Sequence, residues 1–293
     1  MGVVCSASAG LSIGETFMRM LFFPWLWYRR RELQRVLAGK TVLITGASHG
    51  IGECLAYELK DSGARLLLVA RTVDKLRQVQ REVEDHGGQA EVFPCDLTDR
   101  GAVADLVATL CQRPGGIDVV VSNAGKSIRR SLFDSLDRLH DATRTIDLNY
   151  LGPVQILLGL VPQLVARQGQ VINISAVNVL LAAPPLWGAY QASKTAFDQW
   201  FRCVGPELNS RGVATTSIYL PLVRTRMIQP TSHYEHVPAM RPQHVARLIC
   251  RAIISRRRTY GPWWLLPAEI ASTLLRWPWE VVQTWLCARR GRH

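Results

Sequence analysis

The stretch TVLITGASHGIG at Thr41–Gly52 decides the fold of this 293-residue chain. Its first five residues are apolar or β-branched and predict a buried strand. The following run, Thr45–Gly52, is a glycine-rich turn with the spacing G-x-x-x-G-x-G in front of a predicted helix. Glycines allow the backbone to approach a ligand closely, and the helix N-terminus offers free N–H groups and the positive end of its dipole. Between a strand and a helix, this turn predicts a phosphate-binding loop.

Short apolar runs alternate with longer amphipathic ones outward from this loop, as far as residue 222. The predicted strands are Thr41–Thr45, Arg65–Ala70, Ala90–Pro94, Asp118–Ser122, Gln170–Ser175 and Ala214–Leu220. The predicted helices include Gly52–Ser62, Thr72–His86, Asp99–Gln112 and Ala189–Asn209. This alternation predicts an α/β fold, a single doubly wound parallel-sheet (Rossmann-type) domain whose ligands bind at the carboxyl ends of the strands.

The domain is expected to span residues 40–260, between an apolar and basic N-terminal extension, 1–39, and a Trp-rich basic C-terminal tail, 261–293. Hydrophobic residues make up 48% of the chain and charged residues 20%, which is enough apolar material for one core. The seven cysteines are scattered and form no C-x-x-C pair. We therefore expect reduced thiols, and neither a disulfide framework nor a metal site.

Two strand ends bear on the choice of cofactor. At the end of the second strand, an acid would accept the adenosine ribose hydroxyls and repel a 2′-phosphate, but the residue there is Arg71. Its guanidinium can bind that phosphate, and His49 can add a second donor, so the sequence favours NADPH. Alternatively, Arg71 is a solvated cation at a helix start. Asp96, after the third strand, could accept from the adenine amino group or cap the next helix, and both roles could hold.

The catalytic prediction rests on side chains that a parallel sheet brings to one edge. Tyr190 and Lys194 stand four residues apart, on one helix face. Hydride transfer to a carbonyl develops an alkoxide that needs a proton, and an ammonium group stabilises a neighbouring phenolate, so Tyr190 is the predicted acid/base. Ser175, at the end of the fifth strand, can fix the carbonyl oxygen. Asn149 can hold a water that links Lys194 to solvent, and Lys194 can also bind the nicotinamide ribose.

Each of these residues alone is an ordinary structural feature. Their joint occurrence in this order, after the glycine-rich loop, is not expected by chance. Together they resemble the motif set of the short-chain dehydrogenase/reductase family over roughly residues 40–230. The resemblance implies a Rossmann-type domain, a nicotinamide cofactor, the four catalytic roles given above and a homodimer or tetramer. The motifs that carry it are Thr45–Gly52, the run Asn123-Ala124-Gly125, Asn149, Ser175 and the pair Tyr190 and Lys194.

The loop after the sixth strand departs from the family pattern, because Leu222 stands where many members carry glycine after Pro221. Ser175 and Tyr190 are also slightly farther apart than expected, which predicts an altered loop over the pocket at Val179–Pro185. The residues expected to contact the cofactor are Gly46, Ser48, His49, Gly50, Ile51, Gly52, Arg71, Asp96, Leu97, Asn123, Ala124, Gly125, Tyr190, Lys194, Pro221, Val223 and Thr225.

One segment narrows the resemblance further. Ile218–Thr225, followed by Met227–Thr231, is similar to reductases that act on fatty acyl-CoA and related long-chain lipids. The C-terminal Val-Asp-Gly-Gly of family members that reduce small acyl-carrier-protein substrates is absent from this sequence. A hydrophobic small molecule or an acyl thioester is therefore the expected substrate.

Both ends of the chain are apolar, aromatic and basic, and the formal net charge is +12. The run Thr16–Tyr28 is short and interrupted for a membrane span, and no basic region precedes it as in a signal peptide. Such segments favour a cytoplasmic protein held peripherally at a membrane surface. The alternatives are that the ends pack on the domain, on a partner copy or around an apolar substrate tunnel. No nucleic-acid-binding motif is recognised.

The sequence thus favours an NADPH-dependent reductase of a ketone, aldehyde or acyl thioester on a hydrophobic substrate. One alternative is an NADP-linked dehydrogenase that oxidises a hydrophobic alcohol such as a steroid or polyketide, since the same residues serve both directions. Another is a non-catalytic scaffold with the same fold, which the presence of both Tyr190 and Lys194 disfavours.

Overall fold

The structure is a computed structural model that describes residues 27–228 and 237–290. The apolar N-terminal stretch as far as Leu26 and the segment 229–236 lie outside the described residues. The predictions made for those two parts of the chain therefore stay predictions.

A parallel sheet forms the centre of the described fold, with the strand order β3-β2-β1-β4-β5-β6-β7. All six predicted strands are present within a residue or so of their expected bounds. The seventh, a two-residue strand beside β6, was not predicted. The strands are β1 Thr41–Thr45, β2 Arg65–Ala70, β3 Gln89–Pro94, β4 Val119–Ser122, β5 Gln170–Ala176, β6 Ala214–Leu220 and β7 Thr259–Tyr260.

Helices cover both faces of the sheet, which confirms the doubly wound α/β fold. The α-helices are α1 Arg30–Leu37, α2 Gly50–Leu59, α3 Val73–Glu84, α4 Arg100–Cys111, α5 Leu139–Ile146, α6 Gly152–Ala166, α7 Gly188–Ser210, α8 Pro242–Ser255, α9 Leu265–Leu274 and α10 Arg276–Arg290. A π-helical turn, Asp147–Leu151, joins α5 to α6, and short 3₁₀ turns occupy Phe133–Ser135 and Val177–Val179.

Two hydrophobic clusters, one on each face of the sheet, form the core. Successive residues of β1 point to opposite faces, so Val42 and Ile44 join the cluster beneath α2 and α8, whereas Leu43 joins the cluster beneath α4, α6 and α7. All three side chains are fully buried. This two-sided burial explains why the strands read as continuous apolar runs rather than as alternating ones.

The end of the predicted N-terminal extension packs on the domain. The α1 side chains Leu33 and Leu37 are 3% and 0% exposed and belong to the cluster that contains α2 and α8. Tyr28 donates a hydrogen bond to Glu58 of α2. The segment from Tyr28 to Leu37 therefore packs against the domain, which is one of the alternatives that the sequence left open for the chain ends.

The C-terminal helices α9 and α10 bury little of their surface, and among their side chains that the structure describes only Leu265, at 5% exposed, is buried. One helical run in the described part of the chain, Leu139–Ala166, is long and apolar enough to cross a membrane by length and composition. It contributes Ile156 and Leu160 to the core, as expected for a core helix of a folded domain.

Candidate active site

The turn between β1 and α2 has the close packing that a phosphate-binding loop requires. Gly46 and Gly50 have φ values of +67° and +63°, a region that favours glycine. A Cβ on Gly46 would lie 2.9 Å from the Cα of Ala124, and a Cβ on Gly52 would lie 2.4 Å from the carbonyl oxygen of Gly46. Close backbone contacts thus require glycine at positions 46 and 52, and the positive φ favours glycine at position 50.

Thr45, which the sequence analysis did not single out as a site residue, fixes this loop to the end of β4. Its hydroxyl accepts hydrogen bonds from the backbone N–H groups of Asn123 and Ala124, both at 3.0 Å. The Asn123 side chain donates in return to the carbonyl oxygen of Thr45 at 2.9 Å. The predicted Asn-Ala-Gly run therefore acts first as a brace for the loop. Its signal in the sequence is a threonine as the last residue of a buried strand.

Ser48 and His49 lie at the tip of the loop. His49 Nδ1 is 3.0 Å from the Ser48 hydroxyl, and His49 Nε2 is buried without a hydrogen-bond partner among the described residues. Burial lowers the pKa of His49, and the charges of Arg226 and Lys75 lower it further, so the ring is neutral at pH 7. A buried polar atom without a partner, near the two cations Arg226 and Lys75, fits an anionic ligand such as a cofactor phosphate.

Arg71 is exposed at the end of β2, where a 2′-phosphate was predicted, but it already has an anionic neighbour. Its Nη1 lies 3.7 Å from Asp96, a separation and exposure that make a weak ion pair. Asp96 accepts hydrogen bonds from the backbone and hydroxyl of Thr98, which outweigh its burial and lower its pKa. The alternative role of Asp96 as the cap of the next helix is wrong, because Asp99 caps α4 by accepting from Gly101 and Ala102.

Lys126, directly after the Asn-Ala-Gly run, adds a cation that the sequence analysis missed. Burial lowers its pKa, and the positive charges of Arg144 and Arg71 lower it further.

Leu97, which was predicted to contact the cofactor, is 4% exposed in the core, and a Cβ on Gly152 would lie 2.5 Å from its carbonyl oxygen. Leu97 thus packs in the core against α6, so the structure gives no support to a side-chain contact between Leu97 and the cofactor.

Asn149 lies in the π-helical turn between α5 and α6 and is 1% exposed. Its side chain bridges the loop after β4, since Oδ1 accepts from the Lys126 N–H at 2.8 Å and Nδ2 donates to the Lys126 carbonyl at 2.9 Å. Nδ2 also lies 2.8 Å from the hydroxyl of Ser193 on α7. Asn149 therefore joins the β4 loop to the helix that carries Tyr190 and Lys194.

Tyr190 and Lys194 lie on α7, one turn apart, as predicted. Lys194 is buried, and its Nζ donates to the Ile174 carbonyl at 3.1 Å, next to Ser175. Burial lowers the pKa of Lys194 to about 8, while the negative charge of Asp198 opposes this effect. The Tyr190 ring makes an edge contact with Trp187, with centroids 5.8 Å apart.

Ser175 is the penultimate residue of β5 and is 4% exposed. Its Oγ faces the Asp198 side chain but makes no close hydrogen bond within the described part of the chain, so it can turn to a substrate oxygen. The following 3₁₀ turn is held to α7 by a reciprocal pair: Asn178 Nδ2 donates to Gln191 Oε1, and Gln191 Nε2 donates to the Asn178 carbonyl, both at 2.6 Å. This pairing fixes the start of the predicted altered loop.

The loop after β6 closes against the phosphate-binding loop. Val223 forms a bridge with Met240, and Arg224 N–H donates to the Met240 carbonyl at 2.8 Å. The methyl group of Thr225 lies 3.2 Å from where a Gly50 Cβ would be. The predicted contact residues Pro221, Val223 and Thr225 therefore line the same edge as the loop, beside the last residues of β6.

These residues fit a nicotinamide cofactor: the glycine-rich loop before α2 would hold its pyrophosphate, and the α7 residues Tyr190 and Lys194 would hold its nicotinamide end. When bound, such a cofactor donates a hydride to a carbonyl carbon or accepts one from an alcohol. The roles left to the protein match the chemistry of the side chains. Ser175 can hold the substrate oxygen, Tyr190 can exchange its proton with that oxygen, and the Lys194 ammonium can stabilise the phenolate that results.

The comparisons with known proteins agree with this geometry. A family model described as short chain dehydrogenase matches residues 40–236. Over 219 residues, the chain is 47% identical to a fatty acyl-CoA reductase of Acinetobacter baylyi, covering 74% of each protein. It is 41% identical over 247 residues to a fatty acyl-CoA reductase of Mycobacterium tuberculosis, covering 84% of each.

Among solved structures, the chain resembles a metagenomic short-chain oxidoreductase in complex with NADP. The TM-score is 0.66 at 29% sequence identity, and the match covers 77% of this chain and 96% of the other. The neighbour shares the arrangement of helices around a parallel sheet described above.

Proposed function

We propose that this chain, which belongs to the short-chain dehydrogenase family and is an oxidoreductase, acts on a long-chain acyl thioester. In the proposed reaction, NADPH reduces the thioester carbonyl. The observation that carries the proposal is the complete set Asn149, Ser175, Tyr190 and Lys194 at one edge of the sheet. Two relatives above 40% identity are named fatty acyl-CoA reductases, which supports an acyl substrate.

Reduction of an acyl thioester adds a hydride to the carbonyl carbon and breaks the carbon–sulfur bond. The products are an aldehyde and a thiol, and the net reaction consumes one NADPH and one proton. Ser175 would hold the thioester oxygen while negative charge develops on it, and Tyr190 would supply the proton that balances the charge. The buried Lys194 ammonium would make this proton transfer favourable near neutral pH.

The preference for NADPH is supported by the cations around the adenosine end of the loop. Arg71 is two-thirds exposed, and its ion pair with Asp96 is weak enough for a phosphate dianion to replace. Lys126 lies within the electrostatic reach of Arg71, and Arg226 and Lys75 lie within that of His49. The additional 2′-phosphate of NADPH would gain from this positive field, and NADH has no group at that position to do so.

The enzymatic test is an NADPH-oxidation assay with purified full-length protein, detergent and a panel of acyl-CoAs, long-chain aldehydes and ketolipids. We expect turnover that requires a long acyl chain and falls by more than about a hundredfold in Tyr190→Phe, because acid–base groups contribute about 10²–10⁴-fold. Tyr260→Phe is the matched control, because Tyr260 lies in the edge strand β7 and its hydroxyl contacts Ser255 of α8. Full turnover by Tyr190→Phe on every active substrate would contradict the mechanism.

We also propose that the protein works at an anionic membrane surface, with α9 and α10 as the contact. These helices expose a large apolar surface, and the Arg289 guanidinium stacks 3.6 Å above the Trp285 ring. Trp and Leu side chains next to arginines suit the membrane interface. The exposed apolar residues are Trp263, Leu266, Ile270, Leu274, Leu275, Trp277, Trp279, Val281, Val282, Trp285 and Leu286.

Helix α9 is attached to the loop Val179–Pro185, which follows the strand that carries Ser175, because the backbone N–H of Ala182 donates to the Ser272 hydroxyl of α9. An apolar substrate dissolved in the membrane would therefore reach the pocket beside this contact. The test is flotation with vesicles of phosphatidylglycerol or of phosphatidylcholine. We expect binding to anionic vesicles that is lost in the double variant Trp277→Ser, Trp285→Ser and kept in Phe133→Ser, which removes a still more exposed aromatic elsewhere. Equal binding by all three proteins would refute this contact surface.

A further inference from the structure

A buried carboxylate without an assigned role lies directly behind the catalytic residues. Asp198 is on α7, one turn beyond Lys194 and two turns beyond Tyr190, so the three side chains share one face of the helix. It is 2% exposed. Acids are almost never this buried without partners or a function, because removing a carboxylate from water is costly.

The contacts of Asp198 reach the strands that end at the active site. Oδ1 accepts from Asn173 Nδ2 of β5 at 3.1 Å, and Oδ2 accepts from the Tyr219 hydroxyl of β6 at 3.2 Å. Asn173 is two residues before Ser175, and Tyr219 is the register partner of Ser175 in the sheet. The carboxylate is thus held by the two strands whose ends carry the catalytic serine and the loop after β6.

The groups that face Asp198 favour its charged form, whereas its burial favours the neutral form. On α7 these are Lys194 and Arg202. On the strands they are the neutral amide of Asn173 and the hydroxyls of Ser175 and Tyr219. Burial raises the pKa of Asp198 above its ordinary value, and the Tyr219 hydrogen bond, the nearby Ser175 hydroxyl and the two cations oppose that effect in part. The negative charge of Asp198 acts on Lys194 against the effect of burial, which lowers the pKa of Lys194.

We propose that Asp198 is a positioning residue that supplies the buried negative charge by which Lys194 stays protonated across the catalytic pH range. Lys194 donates to the Ile174 carbonyl, which neutralises no charge, so we assign Asp198, one turn away on α7, as the counter-charge of its ammonium. A deprotonated Lys194 could no longer stabilise the Tyr190 phenolate. Asp198 therefore sets the upper pH limit of proton transfer without touching the substrate. This inference rests on the reductase activity proposed above.

The test is the pH dependence of kcat/KM in Asp198→Asn. Asparagine can keep both hydrogen bonds, because its oxygen can accept from Asn173 and its amide can donate to the Tyr219 oxygen. We expect the alkaline limb of the profile to move down by about one pH unit, with about tenfold lower activity above it, as for loss of a nearby opposite charge. Asp198→Glu keeps the charge and should keep the limb in place.

The matched control is Asp118→Asn, the same change at a carboxylate that is 4% exposed beside the opposite end of β4. It should leave the alkaline limb where it is. An unmoved limb in Asp198→Asn would overturn the proposal, as would an equal shift in Asp118→Asn.

Direct titration makes the proposal independent of the substrate. The chain has five lysines, so NMR of ¹³C-labelled lysine can follow Lys194 with no reaction under way. A lower midpoint for Lys194 in Asp198→Asn supports the proposal even if no acyl thioester is turned over, and an unchanged midpoint overturns it. If the asparagine variant does not fold, ¹³C-labelled aspartate in the unmodified protein decides. An Asp198 that is protonated at pH 7 overturns the proposal, and an ionised one supports it.

Discussion

Adding one methyl group to the phosphate-binding loop should damage cofactor binding out of proportion to its size. In Gly52→Ala the new Cβ would lie 2.4 Å from the Gly46 carbonyl oxygen and 2.9 Å from the Ala47 Cα. Both are backbone atoms, so no side-chain rotation can relieve the contact. Overpacking of this kind costs about 1–3 kcal/mol, against a gain of up to about 1 kcal/mol because alanine favours helix over glycine.

The loop can relax only by moving the Gly46 peptide, which shapes the surface that faces the pyrophosphate. A net loss of about 1.5 kcal/mol in binding corresponds to a more than tenfold weaker Kd for NADPH. A similar loss in folding stability would lower Tm by about 3–6 °C for a domain of this size. NADPH fluorescence titration and thermal unfolding measure the two effects separately.

Gly188→Ala is the matched control, because it also adds a methyl group in the first turn of a helix. A Cβ there meets nothing within 4 Å, and the φ of Gly188 is not positive. This variant should bind NADPH normally and unfold at the same or a slightly higher temperature. If Gly52→Ala behaves like Gly188→Ala in both assays, the contacts at the loop do not restrict its shape and the reasoning is wrong.

Further predictions concern the cofactor choice, the pH dependence and the buried amide. Arg71→Ser should weaken NADPH binding about tenfold and leave NADH binding unchanged, as measured by competition titration; equal losses for both cofactors would mean that Arg71 only supports the fold. Activity should fall as pH rises through about 8, where Lys194 loses its proton, and an activity plateau to pH 10 would contradict this assignment. The contribution of Lys194 to the free energy of unfolding should rise between pH 8 and 10.5, because the unfolded chain then binds more protons than the folded one. Asn149→Ala should lower Tm, since the partly buried backbone N–H and carbonyl of Lys126 lose hydrogen bonds worth about 0.5–1.5 kcal/mol each, and an unchanged Tm would show that water replaces the amide.

The sequence predicted the central sheet well because its strands are buried on both faces. Each of the first six strands reads as an apolar run followed by a turn, and no tertiary information is needed to recognise it. β7 has only Thr259 and Tyr260 and lies between arginines and Gly261, so it has no periodic pattern of its own. It exists because Ser217 and Ile218 of β6 offer their free edge, which only the folded sheet reveals.

The candidate site was predictable where short motifs determine geometry, and not where distant residues meet. The spacing of Tyr190 and Lys194 placed them on one helix face, which the structure confirms. The pairing of Arg71 with Asp96 joins two strand ends 25 residues apart in the chain, and no local pattern announces it. Asp198 could have been noticed as an acid one turn beyond Lys194, but only packing shows that it is buried.

The π-helical turn at Asp147–Leu151 has a consequence for how this protein tolerates changes of length. A π turn holds one residue more than an α turn, so it absorbs an inserted residue and keeps the helices on both sides in register with the core. Deleting Leu148 should therefore straighten the run into a regular helix, leave α6 packed as before and swing Asn149 out of the catalytic edge. Deletion of one residue at this point would abolish activity and leave the fold intact. Inactive but well-folded variants are therefore expected at this turn.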